Sequence, residues 1–473
     1  MTDLTTRSRW LALYVLCLGD LMIVLDSSIV NVALPSIQED LGFSQSALAW
    51  VVNAYLLTFG GFLLLSGRLG DLLGNRRVFL GGVVAFTAAS IACGMAPSAG
   101  LLVVGRAVQG LGGAAVSAVA LSLIVGLFTD PGERARAMGV FGFVMSGGGA
   151  VGVLLGGVLT GLFSWHWIFL VNVPIGIGVW FAARRVLPAD EVVEQRGRID
   201  VLGAVLVTAA LMTSVYGIVS SRWALLGVSA VLLAAFVLRE SRTPDPLVPL
   251  RLFRLRNVVV SQVVGMLWAA AMFAWFFLAA LYLQQVLGYG ALEVGLAFIP
   301  TSVVMAACSL RVSDRLVMRF GIRPPLVVGL GLAAVSLALF SRAPVDGNFL
   351  LDVLPSMLLL GAGAGIAFNP VLLAAMGDVE PHESGLASGV VNTSFMMGGA
   401  LGLAVLVSIS TARTTSLTDA GTAPLEALNG GFQVAFAAGA VFAAVAALVG
   451  GLLLHPKPMV MPEVAVAEES RAA

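Results

Sequence analysis

Charge is scarce in this chain. Its 26 basic and 26 acidic residues make up 11% of 473, where a soluble domain carries roughly 25%. That excludes a surface built to face water. The two signs cancel to a net charge of zero, which excludes the basic footprint of a nucleic-acid partner. Lysine is almost absent, with Lys457 alone among the basic residues; together with abundant Ala, Gly and Val this points to a GC-rich genome. The three cysteines, Cys17, Cys93 and Cys308, sit inside apolar runs, so no disulfide framework is implied. The three histidines, His166, His382 and His455, fall near loops or ends. There is no phosphate-binding glycine loop, no GxSxG, no HExxH and no Cys/His metal spacing. An enzyme is therefore not expected, nor a cofactor, nor a metal. Without a nucleotide site, any uphill work has to draw on an ion gradient.

What the chain has is apolar length. Hydrophobic residues reach 59% and the mean hydropathy is +0.99. A helix needs about 20 apolar residues to cross a bilayer. Apolar runs fall at about 10–34, 46–66, 78–96, 101–127, 138–161, 167–186, 200–220, 223–238, 257–283, 294–312, 324–341, 349–370, 388–410 and 431–454. The sequence thus predicts an all-α integral membrane protein of fourteen transmembrane helices. The break between runs seven and eight is the weakest, resting on Ser221 and Arg222 alone. The first run follows Arg7 and Arg9, is too long for a signal core, and reads as a spanning helix.

Basic residues test this count independently, because they stay in short cytoplasmic loops. With the N-terminus inside, 22 of the 26 fall in inner segments. Three, Arg222, Arg342 and Arg413, fall outside, and Arg106 lies within a helix. Both ends are expected in the cytoplasm of a cell membrane, with a short Pro-marked, disordered tail at 455–473.

The chain also repeats itself. Ser66-Gly67-Arg68-Leu69-Gly70-Asp71 after helix 2 returns as Ser309-Leu310-Arg311-Val312-Ser313-Asp314 after helix 10, and Leu41-Gly42-Phe43 returns as Leu287-Gly288-Tyr289. The offsets are 243 and 246 residues. Two six-helix, pseudo-symmetric bundles, at 1–199 and 257–454, with a two-helix insertion and linker at 200–256 explain both. Parallel repeats of this kind are a transporter architecture, with the substrate at the interface of the halves.

Ionisable groups within a bilayer are costly and mark a cavity, a partner or a proton path. Asp26 and Asp20 lie in helix 1, and Arg106 in helix 4. A carboxylate's hold on a proton changes with hydration and with the approach of a guanidinium, which is the chemistry of proton coupling. The residues alone equally allow a structural ion pair, or a hydrated Asp26 at the membrane boundary. Six residues of helix turn through about 600°, so Asp20 points about 120° away from Asp26. Helix 5 carries Gly148, Gly152 and Gly156 at four-residue spacing, with Gly157 beside them, a ridge that admits a neighbouring helix closely; generic packing explains it as well as transport does. Candidate cavity residues are Asn31, Asn53, Gln109, Trp268, Trp275, Tyr282 and Asn392. Trp275 and Tyr282 share a helix face and suit a flat or cationic molecule, although lipid-facing placement fits the aromatics equally.

The loop from Gly67 to Arg77, Gly-Arg-Leu-Gly-Asp-Leu-Leu-Gly-Asn-Arg-Arg, resembles the loop 2–3 signature of the major facilitator superfamily. The stretch Leu102 to Ala114, through Arg106, Gln109, Gly110 and Gly112, is similar to its helix 4 signature. Leu25-Asp26-Ser27-Ser28-Ile29-Val30-Asn31-Val32-Ala33-Leu34-Pro35 and Trp167 to Gly176 resemble motifs of its fourteen-helix drug:proton antiporter branch. The resemblance implies an inner gate of Gly67, Arg68, Asp71, Gly74, Arg76 and Arg77, with Asp314 as the repeat's counterpart. It implies a proton network of Asp26 and Arg106, and an antiporter role for Gly152, Gly156 and Gly157. Val153 stands where the family usually has proline, which puts the helix 5 kink in doubt. Helix 13 reads Asn392-Thr393-Ser394-Phe395-Met396-Met397 and lacks the acidic residue that some relatives use for dications. The expected function is proton-coupled export of an amphipathic small molecule (a drug, antibiotic or secondary metabolite) by a monomer, with substrate, protons and lipid as partners. A symporter or facilitator for a small metabolite is the alternative.

Overall fold

The computed structural model describes residues 6–128, 130–189, 200–243, 246–247, 250–376 and 384–455. The expected tail therefore lies, beyond His455, outside the described residues. The described chain is helical throughout: α1 (Thr6–Leu41), α2 (Gln45–Leu73), α3 (Asn75–Gly94), α4 (Ala99–Leu127), α5 (Pro131–Leu162), α6 (Trp167–Val186), α7 (Val201–Val219), α8 (Ala224–Glu240), α9 (Arg256–Val286), α10 (Ala291–Phe320), α11 (Arg323–Phe340), α12 (Phe349–Ala375), α13 (Ser384–Asp419) and α14 (Pro424–Leu453). Helix is what an apolar chain must form in lipid, since every backbone N–H and C=O is then satisfied within the segment.

Among the described residues, twelve of these are long and apolar enough to cross a membrane. The two outside that set are α8, with 17 residues, and α5, whose described apolar stretch covers Val151–Leu162 only. The expectation of fourteen spans is thus met for twelve. The thin break at Ser221 and Arg222 is a turn: Ser221 takes a positive φ of 53°, and the Arg222 N–H bonds back to the Gly217 carbonyl at 2.9 Å. Helix 5 runs through Val153 without interruption.

Short polar caps set the helix starts. The side chains of Ser44, Ser98, Asp130 and Asp200 accept from the backbone N–H groups of Ala47, Leu101, Glu133 and Gly203, donors the first turn leaves free. Glycine makes two of the turns twice. Gly42 and Gly288 have φ of 67° and 72°, and Gly74 and Gly321 have 99° and 78°, a region that penalises any Cβ. These pairs are 246 and 247 residues apart, so the repeat seen in the sequence recurs in backbone geometry.

Packing follows the same repeat. Within the first six helices, α1 packs on α5 and α6, α4 on α2 and α3, and α3 on α6; the identical pairings recur among α9 to α14. The two sets meet through α2 against α13, α5 against α10, and α1 against α9, while α7 leans on both α2 and α13. The far ends of α1 and α9 are joined: Gln284 Nε2 donates to the Val32 carbonyl and Gln285 Nε2 to Gln38 Oε1, each at 2.9 Å. Their starts therefore share a face, and His455 lies there too, its backbone N–H bonded to Asn257 Oδ1. We call this the terminal face and the other the distal face. Side chains such as Tyr14, Val104, Phe163, Ile177, Val231 and Leu448 point outward and are exposed, an apolar belt that only lipid would suit.

Candidate functional site

Asp26 and Arg106 meet in the middle of the first six helices. Neither is exposed. Arg106 Nη1 donates to Asp26 Oδ2. Asp26 Oδ1 accepts from Gln109 Nε2 at 3.0 Å and from Asn172 Nδ2 at 2.8 Å. Arg106 continues outward: Nε donates to the Val51 carbonyl at 2.9 Å, and Nη1 to Gln109 Oε1 at 2.8 Å. Gln109 Nε2 also reaches Ser90 Oγ at 2.8 Å. The guanidinium lies 4.4 Å from the centre of the Tyr55 ring and 5.7 Å from that of Phe169. Five helices thus contribute: α1, α2, α3, α4 and α6. An ion pair removed from water loses its hydration, and only good geometry with every remaining lone pair engaged compensates. Here both carboxylate oxygens are engaged and the cation has aromatic faces against it.

Several candidates do not join this cage. Asp20 is buried, as its helical phase requires, but bonds elsewhere: Ser117 Oγ of α4 donates to Oδ1, while Oδ2 has no partner. Asn31 turns back on its own helix, with Nδ2 3.2 Å from the Ser28 carbonyl. Asn53 is fully buried, and both its side-chain polar atoms lack a partner. Trp275 sits in an aromatic cluster with Phe276, Phe298 and Phe340, and Tyr282 donates to the Pro344 carbonyl at 2.8 Å. Both pack within the second set of helices. Trp268 and Asn392, in contrast, line a small cavity between α9, α12 and α13.

At the α2–α3 turn, Gly67 lies on α2 with open space around it, and a Cβ on Gly70 would collide with Asn75 and Val119. Gly74 makes the turn. Arg76 on α3 donates to the Arg184 carbonyl on α6. Arg68 and Arg77 flank this turn; the Asp71 side chain lies outside the described residues. In the repeat, Asp314 Oδ1 stands 3.5 Å from Asn369 Nδ2, and Ser313 Oγ donates to the Ile366 carbonyl at 3.0 Å. This last part of α10 is tied to α12.

The glycines of α5 divide between two neighbours. A Cβ on Gly148, Gly152 or Gly156 would strike α1, at Val24, Ser28 and Ile29 respectively, and one on Gly157 would strike Ala291 and Gly295 of α10. One helix face therefore closes the first bundle, and the next residue closes the seam between bundles.

Reading the sequence alone missed Asn172, Ser90 and Tyr55 as members of the cage. Asn172 had a usable signal, an amide at the start of an otherwise apolar span. Ser90 and Tyr55 had none, because their roles arise from packing across helices.

A family model described as Major Facilitator Superfamily matches residues 16–403. The chain is 40% identical to the puromycin resistance protein of Streptomyces alboniger, over 91% of this chain and 88% of that one. It is 39% identical to the cephamycin export protein of Amycolatopsis lactamdurans, over 87% of each. Among solved structures, an auto-inhibited POT family peptide transporter superposes with a TM-score of 0.68 at 16% identity, covering 97% of this chain and 98% of that one. A bacterial homologue of the lysosomal transporter Spinster, inward-facing and unoccupied, gives 0.67 at 17% identity, covering 95% and 98%. At such identities the likeness speaks for the fold.

Proposed function

Because the chain belongs to the major facilitator superfamily, a transporter family and not an enzyme family, we propose that it exports an amphipathic small molecule (a drug, antibiotic or secondary metabolite) in exchange for protons. The observation that carries this reading is the fully buried Asp26–Arg106 pair in a chain that places so few charges anywhere. Intramembrane charges of this kind mark functional paths. Protonating Asp26 would weaken its hold on Arg106, Gln109 and Asn172, so protonation is tied to movement of α1 against α4 and α6. Alternating access supplies that movement.

The rest of the reading follows. Helices α5 and α8 cross the membrane with the other twelve, giving the branch's fourteen spans. The chain divides into bundles at 1–199 and 257–454, an insertion at 200–256 and a tail from 455. The repeated pairings and the paired glycine turns support this division. The distribution of basic residues supports a cytoplasmic terminal face. Gln284, Gln285, Gly157 and Gly295 hold the distal seam, so the distal side is closed in this arrangement. Asp71 with Gly67, Arg68, Gly74, Arg76 and Arg77, and Asp314 in the repeat, form the inner gate. The transporter works as a monomer, with lipid and protons as its other partners.

Flux direction is the test. In inside-out vesicles, acidifying the lumen should drive drug into the lumen as protons leave. Drug movement in the same direction as the protons would instead establish a symporter.

A further inference from the structure

The cavity between α9, α12 and α13 has a volume of about 50 Å³. Ser261, Gln262 and Trp268 of α9 line it, with Phe368 of α12 and Asn392 and Phe395 of α13. Ser261, Gln262 and Trp268 are each more than nine-tenths buried. Yet Ser261 Oγ, both polar atoms of the Gln262 amide and the Trp268 indole N–H have no hydrogen-bond partner. Buried polar groups are normally satisfied, and exceptions ask for an explanation. Four such atoms belong to residues that line this one hollow.

The place fits traffic between the bundles. Asn392 follows Gly389 by three residues and precedes Met396 by four, and those two residues pack on Leu64 and Gly60 of α2. The hollow therefore borders the seam where the two bundles meet. Phe368 is half exposed there, and its ring lies edge-on to Phe395 at 6.2 Å.

We propose that this hollow is the substrate's polar subsite, and that it takes an uncharged group carrying both a donor and an acceptor (a carboxamide or a hydroxyl-bearing arm) while Phe368 and Phe395 hold an adjoining ring. Its size admits a functional group and not a whole drug. Gln262 supplies one donor and one acceptor, Trp268 a donor, and Ser261 either. Among the described residues its lining has no Asp, Glu, Lys or Arg, so an ionised group entering it would lose water and gain no counter-charge. This inference rests on the exporter reading only for the direction of traffic; occupancy itself is measured without flux.

The test uses the full-length protein purified in detergent and radiolabelled chloramphenicol, an uncharged molecule with a ring, an amide and two hydroxyls. Saturable binding is expected. Gln262→Leu should weaken it at least tenfold, Gln262→Asn should retain most of it, and the permanent cation ethidium should not compete for the site. Gln262→Leu also removes a buried, unpaired amide, so the empty variant should unfold at a higher temperature than the wild type. A residue that only holds the fold would give the opposite shift. Absence of saturable chloramphenicol binding means the hollow holds water alone and overturns the proposal, as does unchanged affinity in Gln262→Leu. Either result leaves proton-driven efflux to its own vesicle assay, so the two failures are distinguishable.

Discussion

The Asp26 carboxylate and the Arg106 guanidinium, eighty residues apart in the chain, form an ion pair with no exposed surface, and the amides of Gln109 and Asn172 complete the carboxylate's shell. The pair lies inside one bundle and not between the two. A proton arriving at Asp26 would therefore act first on how α1, α4 and α6 pack, and only through them on the seam with the second bundle. Coupling on this view is mechanical: charge on Asp26 favours one packing of the first bundle, and its neutralisation favours another.

Asp26→Asn should abolish gradient-driven efflux, because the amide cannot release a proton. It should also leave Arg106 charged, buried and unpaired, a defect that costs about 3–5 kcal/mol when one partner of a buried pair is removed. The double variant Asp26→Asn/Arg106→Gln should recover much of that stability and none of the efflux. Thermal unfolding and vesicle transport on the same preparations check both halves. Asp20→Asn, which disturbs the contact with Ser117 alone, should cost less stability. Proton-driven drug accumulation by Asp26→Asn at the wild-type level would move coupling to Asp20.

Much of this molecule was legible in its sequence, for identifiable reasons. Apolar runs dictate helices wherever no water can satisfy the backbone, so the twelve long apolar helices among the described residues followed from composition. The repeat was legible because tight turns need glycine, and Gly42 and Gly288 kept it. Asp26 and Arg106 stood out because charge is so rare around them. The neighbours of Trp275 and Tyr282, such as Phe298, Phe340 and the Pro344 carbonyl, were not legible, since helical phase tells which residues share a face and not what that face meets. The orphaned amide of Gln262 had no distinguishing pattern; its meaning depends on the absence of partners on α12 and α13, which only the assembled helices reveal.

The glycines of α5 should separate by neighbour. Gly157→Ala would place a methyl 2.7 Å from the Ala291 carbonyl and 3.1 Å from the Gly295 backbone, which cannot yield without parting α5 from α10. It should therefore weaken the distal seam. Gly148→Ala meets the side chains of Val24 and Leu21 at 2.9 and 3.0 Å, which can turn aside, and should be mild. Spin-label distances across the distal ends of α5 and α10 should lengthen in Gly157→Ala only. Equal distances in the two variants would remove Gly157 from the seam.

Gln284 and Gln285 fasten the distal ends of α1 and α9 through uncharged hydrogen bonds. A neutral bond contributes about 0.5–1.5 kcal/mol net, so a pair can bias a two-state equilibrium by roughly tenfold and still release on each cycle. Gln284→Leu/Gln285→Leu should shift the protein away from the distal-closed form. In spin-label distance distributions between the distal ends of α1 and α9, the longer component should grow several-fold. An unchanged distribution would show that packing of α5 on α10 holds the seam alone.

Orientation can be decided without knowing the substrate. Most basic residues sit in the segments on the terminal face, and translocation retains such segments in the cytoplasm. Cysteine at Ser98, beside the α3–α4 turn, or at Arg342, after α11, should then react with a membrane-impermeant maleimide added to intact cells. Cysteine at Asn75, in the α2–α3 turn, should react only once the cells are opened. The experiment needs Cys17, Cys93 and Cys308 replaced first. Cys17 and Cys93 are buried, and the Cys93 thiol donates to Gln109 Oε1 at 3.4 Å, so serine at Cys93 and alanine at Cys17 should each be tolerated at a cost of about 1–2 kcal/mol. Because α5 and α8 fall between these probes in the chain, the result also shows whether one of them alone fails to cross. If both cross, Ser98 and Arg342 lie on the same side; if α8 alone failed to cross, Arg342 would move to the side of Asn75. Labelling of Ser98 but not of Arg342 in intact cells would thus break the fourteen-span topology at α5 or α8, and labelling of Asn75 there would invert the whole molecule.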